Sequence, residues 1–141
     1  MFSKILVPID GSENSKRAFN YAIYLSKNLN GEITILNIAD APPTVYVQSQ
    51  KVLDELLEKY SKAREKVFDE YRELAQRENI EIKTKVIFGD PGQEIVKLSL
   101  KEEFDVIVIG NRGLGHLKEM IIGSVSKTVI HDTKCPVLLV K

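Results

Sequence analysis

The 141 residues of this chain match a single domain over 1–141, because two ordinary folds need more chain. Twenty basic residues balance twenty acidic ones, which excludes the global positive field that holds nucleic acid or an anionic membrane surface. No apolar run approaches the roughly 20 residues of a membrane helix, and a single cysteine forms no internal disulfide, so we expect a cytoplasmic protein.

The first half of the chain predicts a β-α-β unit followed by a long helix. The second predicted strand, at 32–38, is so rich in Ile and Leu that we expect it to be buried on both faces. Gly31, directly before it, is expected to form the C-cap of the preceding helix. Two adjacent prolines in 39–50 predict an excursion above the sheet. The predicted elements are a strand at 4–9, a helix reaching Leu29, a strand at 32–38 and an amphipathic helix at about 50–78.

The second half continues the alternation of strands and helices. Residues 80–88 alternate apolar with charged side chains at first, which predicts a strand near the sheet edge. Asp90 as N-cap, with Pro91 and Gln93 at the first and third helical positions, predicts a helix that ends near Glu103. The remaining predicted elements are a strand at 105–110, a helix at about 124–132 and a strand at 135–140.

This alternation predicts an α/β fold with five parallel strands and helices on both faces, since parallel neighbours need crossover connections. Ligands of such folds bind beyond the carboxyl ends of the strands, where the winding direction switches. Two segments with unusual chemistry follow strand ends, "PIDGS" at 8–12 and a glycine-rich loop at 110–124.

The glycine-rich loop has the pattern G-x2-G-x9-G, formed by Gly110, Gly113 and Gly123, and Ser124 then opens a helix. Glycines let a ligand approach the main chain, and a helix N-terminus favours phosphate oxygens. The alternative is that these glycines only form a mobile surface loop. Neither the P-loop motif nor the dinucleotide fingerprint is present.

Three segments together resemble the universal stress protein family, specifically its ATP-binding branch. They are "ILVPIDGSENSKRAFNYA" near the start, the G-x2-G-x9-G-S pattern and the closing "CPVLLVK". The resemblance spans essentially the whole chain. It implies a Rossmann-like fold, akin to adenine nucleotide alpha hydrolases, with strand order 3-2-1-4-5.

The resemblance also implies a site for ATP, with Mg²⁺ or Mn²⁺ bridging the phosphates. Asp10 matches a residue that contacts the nucleoside, Ile38 one that lies against adenine, and Pro8 and Ile9 would line the same wall. Ribose and phosphates would be held by the residues that match the glycine motif, with Ser126 as a further hydroxyl and Arg112 within reach of phosphate: Gly110, Gly113, Gly123, Ser124 and Val125.

Several of these residues have simpler interpretations. Asp10 could only tie down its turn, although Ser12 is already a good N-cap. Ile38 could be a core residue, and Arg112 could be solvated. His116 and His131 are interpreted as surface residues, because the sequence supplies no partner for either.

We find no clear residue to orient water for hydrolysis of ATP, nor concentrated positive charge for the transferred group. The sequence therefore favours a nucleotide-responsive binding protein with at most slow hydrolysis, acting on an unknown protein partner. ATP and metal would order the glycine loop and the excursion after the second strand. An apolar edge strand at 136–141 predicts a homodimer. The competing hypothesis is a dimeric interaction module that holds no nucleotide.

Overall fold

The computed structural model describes residues 1–40, 49–111 and 122–141. Within these ranges one parallel sheet of five strands has the order β3-β2-β1-β4-β5, which confirms the predicted order 3-2-1-4-5. The elements are β1 (Lys4–Ile9), α1 (Glu13–Leu29), β2 (Glu32–Ala39), α2 (Gln50–Arg77), β3 (Ile82–Phe88), α3 (Pro91–Lys101), β4 (Val106–Gly110), α4 (Ser124–Asp132) and β5 (Val137–Val140).

Helices cover both faces of the sheet. On one face, Phe19 of α1 and Tyr71 of α2 pack over alternate residues of β1 and β2, with their rings in edge-to-face contact at 4.9 Å between centroids. On the other face, Ile95 of α3 and Val129 of α4 pack over the intervening residues, such as Leu6 of β1. Burial from both sides explains why the central strands read as continuous aliphatic runs.

The helix start signals in the sequence are confirmed. The side chain of Ser12 accepts a hydrogen bond from the amide of Ser15 at 3.2 Å, and Asp90 accepts one from the amide of Gln93 at 3.0 Å. Each bond satisfies an amide that the first helical turn leaves without a partner, which favours helix formation at that residue. The third helix ends at Lys101, slightly before the predicted Glu103.

The prediction that Gly31 caps α1 is wrong. The left-handed residue at the helix end is Asn30, with φ of 53°. Gly31 is required for a different reason, since a Cβ there would lie 2.5 Å from the carbonyl oxygen of Phe2 and 2.9 Å from Cδ1 of Ile5. The chain before β1 therefore passes too close to this backbone for any side chain.

Helix α2 is longer than the sheet is tall. The ring of Tyr60 in α2 contacts the ring of Phe88, the last residue of β3, with the ring centroids 5.6 Å apart. This turn of the helix therefore lies level with the carboxyl edge of the sheet. Residues 50–59 therefore extend about 15 Å beyond that edge. The buried side chains of α2, Phe68, Tyr71 and Ala75, all belong to its second half.

Candidate functional site

The strands β1 and β4 lose their registered pairing toward the carboxyl edge of the sheet. β1 pairs with β2 over its whole length, up to Ile9 opposite Asn37, but its registered pairs with β4 stop at Leu6 opposite Ile107. Pro8 contributes to this loss of pairing because it has no amide hydrogen to donate. The winding direction also reverses between these two strands, which is where ligands of open α/β sheets bind. We call this switch point between the two strand ends the β1–β4 crevice.

The turn after β1 forms one border of the crevice. Asp10 is exposed, and its Oδ1 accepts a hydrogen bond from the amide of Ser12 at 2.9 Å. Between them, Gly11 has φ of +84°, and an ideal Cβ there would meet no atom within 4 Å. The simpler interpretation of Asp10 thus holds for one of its oxygens, while the space over Gly11 is open to a ligand.

Gly110 ends β4 on the other side of the crevice, and its packing explains why no side chain is present. A Cβ at this position would lie 2.9 Å from the carbonyl carbon and from Cβ of Asn14, in the first turn of α1. Real Cβ atoms keep a larger distance from backbone atoms, so α1 rests directly on the end of β4. This contact brings the turn of Asp10 beside the end of β4.

The start of α4 lies beside the end of β4. The amide of Gly123 donates to the carbonyl oxygen of Asn111 at 2.7 Å, and the hydroxyl of the buried Ser126 donates to the carbonyl oxygen of Gly110 at 2.7 Å. Both bonds fasten the helix start to the end of β4. Gly123 at the N-cap supplies no side-chain hydrogen bond, so among the described residues its position leaves the amides of Ser124 and Val125 able to bind an anion.

Ser126 was predicted to offer its hydroxyl to phosphate. In the structure that hydrogen is donated to Gly110, and the side chain is only 3% exposed. The residue therefore serves first to orient the helix start. Its contact with phosphate stays a prediction.

The residues predicted to line one wall of the site, on β1 and β2, differ in which of their atoms can reach a ligand. Ile38 is half-buried at the end of β2 and packs against the core beneath α3 and α4. Pro8 is half-buried on β1. The side chain of Ile9 is buried beneath α1 and α2, so only its main chain can line the crevice.

Sequence reasoning missed Asn37, which lies between the two strand ends. Its side chain is buried, and its Nδ2 donates to the carbonyl oxygen of Ile9 at 3.1 Å. An amide side chain inside the largely aliphatic segment "ITILNIA" was the signal that could have drawn attention to it.

Tyr71 forms a second polar layer behind Asp10. Its hydroxyl lies 3.4 Å from the hydroxyl of Ser15, which itself donates to the carbonyl oxygen of Ser12 at 2.9 Å. Burial raises the pKa of Tyr71, the bond with Ser15 lowers it, and the negative charge of Asp10 raises it further. The Asp10 turn is therefore coupled electrostatically to helix α2.

The predicted site residues in the described ranges meet at one edge of the sheet. Pro8 to Asp10 end β1, Ile38 lies near the end of β2, Gly110 ends β4, and 123–126 begin α4. Residues outside the described ranges include Arg112, Gly113 and His116, and also 41–48 of the excursion predicted at 39–50. In the ranges that the structure describes, no group of three or more His, Cys, Asp or Glu could hold a metal ion, and no helix is long and apolar enough to cross a membrane.

Comparison with known proteins is consistent along the whole chain. The model of the universal stress protein family matches residues 1–141. Universal stress protein YxiE of Bacillus subtilis is 35% identical over 149 residues, which cover 100% of both chains. The solved structure of the hypothetical protein MJ0577 superposes with a TM-score of 0.82 at 28% identity, covering 100% of this chain and 96% of the other.

Two further solved structures contain nucleotides. One is a universal stress protein in complex with cAMP, with a TM-score of 0.70 at 24% identity and coverage of 99% and 96% of the two chains. The other is the universal stress protein from Archaeoglobus fulgidus in complex with dAMP, with a TM-score of 0.66 at 19% identity and coverage of 100% of both chains. At these identities the likeness is one of fold.

Proposed function

This chain belongs to the universal stress protein family, and from that premise we propose that it is an ATP-binding, nucleotide-responsive protein with at most slow ATP hydrolysis. The observation that supports the proposal most directly is the β1–β4 crevice. It has an open turn at Gly11 on one side and an uncapped helix start at Ser124 on the other. A nucleoside and its phosphates need these two kinds of surface.

The phosphates would bind at the start of α4. Its first amides and the partial positive charge of the helix favour anionic oxygens, each charge contributing roughly 0.3–1 kcal/mol at an exposed site. That amount alone is too small for tight binding. Arg112 and Gly113, which belong to the same motif, are proposed to contribute further contacts.

The nucleoside would bind between Asp10 and Ile38. An exposed carboxylate accepts hydrogen bonds from ribose hydroxyls, and a half-buried Ile38 offers apolar surface to a base. Proteins of the same fold that hold cAMP and dAMP support an adenine nucleotide as the ligand class. ATP is proposed as the ligand because the motif resembles the ATP-binding branch.

Mg²⁺ or Mn²⁺ is proposed to bind through the phosphates, whose negative charge it would neutralise. The sequence supplies no clear residue to orient an attacking water, so hydrolysis would be slow at most.

The proposal is tested by identifying what the purified protein carries and binds. The protein is denatured, and released nucleotide is measured by absorbance and mass; calorimetry with ATP and Mg²⁺ follows on the nucleotide-free protein. Released adenine nucleotide, or saturable binding of ATP, is expected. A pocket that releases nothing and ignores added ATP would favour the competing hypothesis, a nucleotide-free interaction module.

We further propose a cytoplasmic homodimer that forms through residues 136–141. β5 is an edge strand, and Val137, Leu138 and Leu139 are all only half-buried in the single chain. An apolar edge with unpaired backbone groups is stabilised when a second copy covers it. Light scattering of a variant that lacks 136–141 should report a monomer, and a surviving dimer would place the interface elsewhere.

A further inference from the structure

Asn37 is a buried side chain whose polar groups are only half used. It is 5% exposed, and its Nδ2 donates to the carbonyl oxygen of Ile9 at 3.1 Å. Its Oδ1 is buried and finds no hydrogen-bond partner among the described residues. The reverse orientation of the amide would point Oδ1 at the carbonyl oxygen of Ile9, so this bond fixes which atom is left unpaired.

Such a residue is a poor way to stabilise a core. A buried acceptor without a partner costs about as much as one hydrogen bond contributes, so the two atoms of this amide largely offset each other. Its neighbours along β2, Leu36 and Ile38, are apolar, and a leucine of similar size would fill the same space without an unpaired atom. A contribution to stability therefore does not account for asparagine at this position.

The location of the hydrogen bond between Asn37 and Ile9 does account for asparagine at this position. Beyond Leu6, β1 keeps its registered pairs with β2 and has none with β4. Asn37 adds a side-chain bond to the last residue of β1 at this end. Ile9 directly precedes Asp10, and Asn37 directly precedes Ile38. One amide thus joins the two strand ends that would contact the nucleoside.

We propose that Asn37 is a positioning residue for the nucleoside half of the ligand, which it serves by fixing Asp10 relative to Ile38. This inference rests on the proposed nucleotide binding. The unpaired oxygen is the cost of keeping the amino group at this point. The phosphate half of the site, at the start of α4, lies on the far side of the crevice and does not depend on Asn37.

The test separates the two halves of the ligand. Parent and Asn37→Leu are titrated with ATP, adenosine and inorganic tripolyphosphate, and unfolded with urea. We expect Asn37→Leu to bind ATP and adenosine about tenfold more weakly, the change equivalent to roughly one hydrogen bond. The affinity of this variant for tripolyphosphate should equal that of the parent. Its stability toward urea should equal or exceed that of the parent.

Ser26→Ala is the matched control. The hydroxyl of Ser26 is buried and donates to the carbonyl oxygen of Gly31 at 2.5 Å, at the opposite edge of the sheet. Its loss should lower stability and leave ATP affinity unchanged. If Asn37→Leu does not fold, Asn37→Ser, which is too short to keep the bond, replaces it with the same expectation for the ligands.

Two results would overturn the inference. In the first, the Asn37 variant binds ATP with the same affinity as the parent. In the second, it loses as much affinity for tripolyphosphate as for ATP, which would indicate a general distortion. Both are distinct from failure of the proposed function, in which the parent protein itself would bind no ATP.

Discussion

Replacing Gly110 with alanine tests whether α1 and β4 are held together as closely as the site requires. The added Cβ would lie 2.9 Å from the carbonyl carbon and Cβ of Asn14 and 3.0 Å from its carbonyl oxygen. Two of these atoms belong to the backbone of the first turn of α1, and the third, Cβ, is bonded directly to that backbone, so none of them can move aside by a side-chain rotation. The helix start, and with it the turn of Asp10, must shift.

The expected cost is that of overpacking a close contact, about 1–3 kcal/mol of unfolding free energy. We expect a value in the upper half of that range, because three atoms of one residue are too close at once. Ordinary domains are stable by only about 5–15 kcal/mol, so the loss is easily measured. The carbonyl oxygen of Gly110 also accepts a hydrogen bond from the hydroxyl of Ser126, which orients the start of α4. The affinity for ATP should therefore fall as well.

Urea denaturation followed by circular dichroism measures the loss of unfolding free energy, and we expect a lower midpoint with an unchanged slope. Calorimetry measures the affinity for ATP. Gly31→Ala is the control, since it introduces an even closer contact, 2.5 Å from the carbonyl oxygen of Phe2, at the opposite edge of the sheet. It should lower stability and spare ATP binding. If Gly110→Ala unfolds within about 0.5 kcal/mol of the parent, the steric reasoning is refuted.

Three further predictions concern single features of the fold. The raised pKa of Tyr71 means that the fold favours its protonated form, so this contribution to stability is present below about pH 10 and is lost as the pH rises through the folded pKa. In alkaline urea titrations the parent should lose stability more steeply than Tyr71→Phe; parallel curves would refute this. Asp90→Ala removes the N-cap of α3 and should cost about 1 kcal/mol in urea unfolding, while calorimetry finds ATP affinity unchanged. Leu139→Asp should give a monomer in light scattering if the β5 edge forms the dimer, whereas a dimer that persists places the contact on another surface.

Local signals in the sequence predicted the elements well. Ser12 and Asp90 act within three residues of themselves, so their side chains identify helix starts without knowledge of the fold. The alternation of strands and helices likewise predicted the parallel sheet. The order of its strands came from the family resemblance and is confirmed.

Contacts between distant parts of the chain could not be read in the same way. Gly31 is needed because Phe2 passes over it, and Gly110 because Asn14 rests on it, and neither neighbour is close in sequence. The bond between Asn37 and Ile9 depends on the register of two strands, which no local pattern specifies. The glycine motif was thus predicted as a ligand site, while the packing role of its first glycine was not.

The two halves of α2 should differ in how readily they open. The second half is stabilised by the core, whereas the turns beyond the carboxyl edge depend on helix propensity and on exposed side-chain contacts such as Gln50 with Asp54 and Lys62 with Glu58. Amide exchange should accordingly be fast toward Gln50 and slow toward Ala75. The first turns of this helix are then expected to unwind and reform while the sheet stays folded, which gives the molecule a locally adjustable surface on a rigid support.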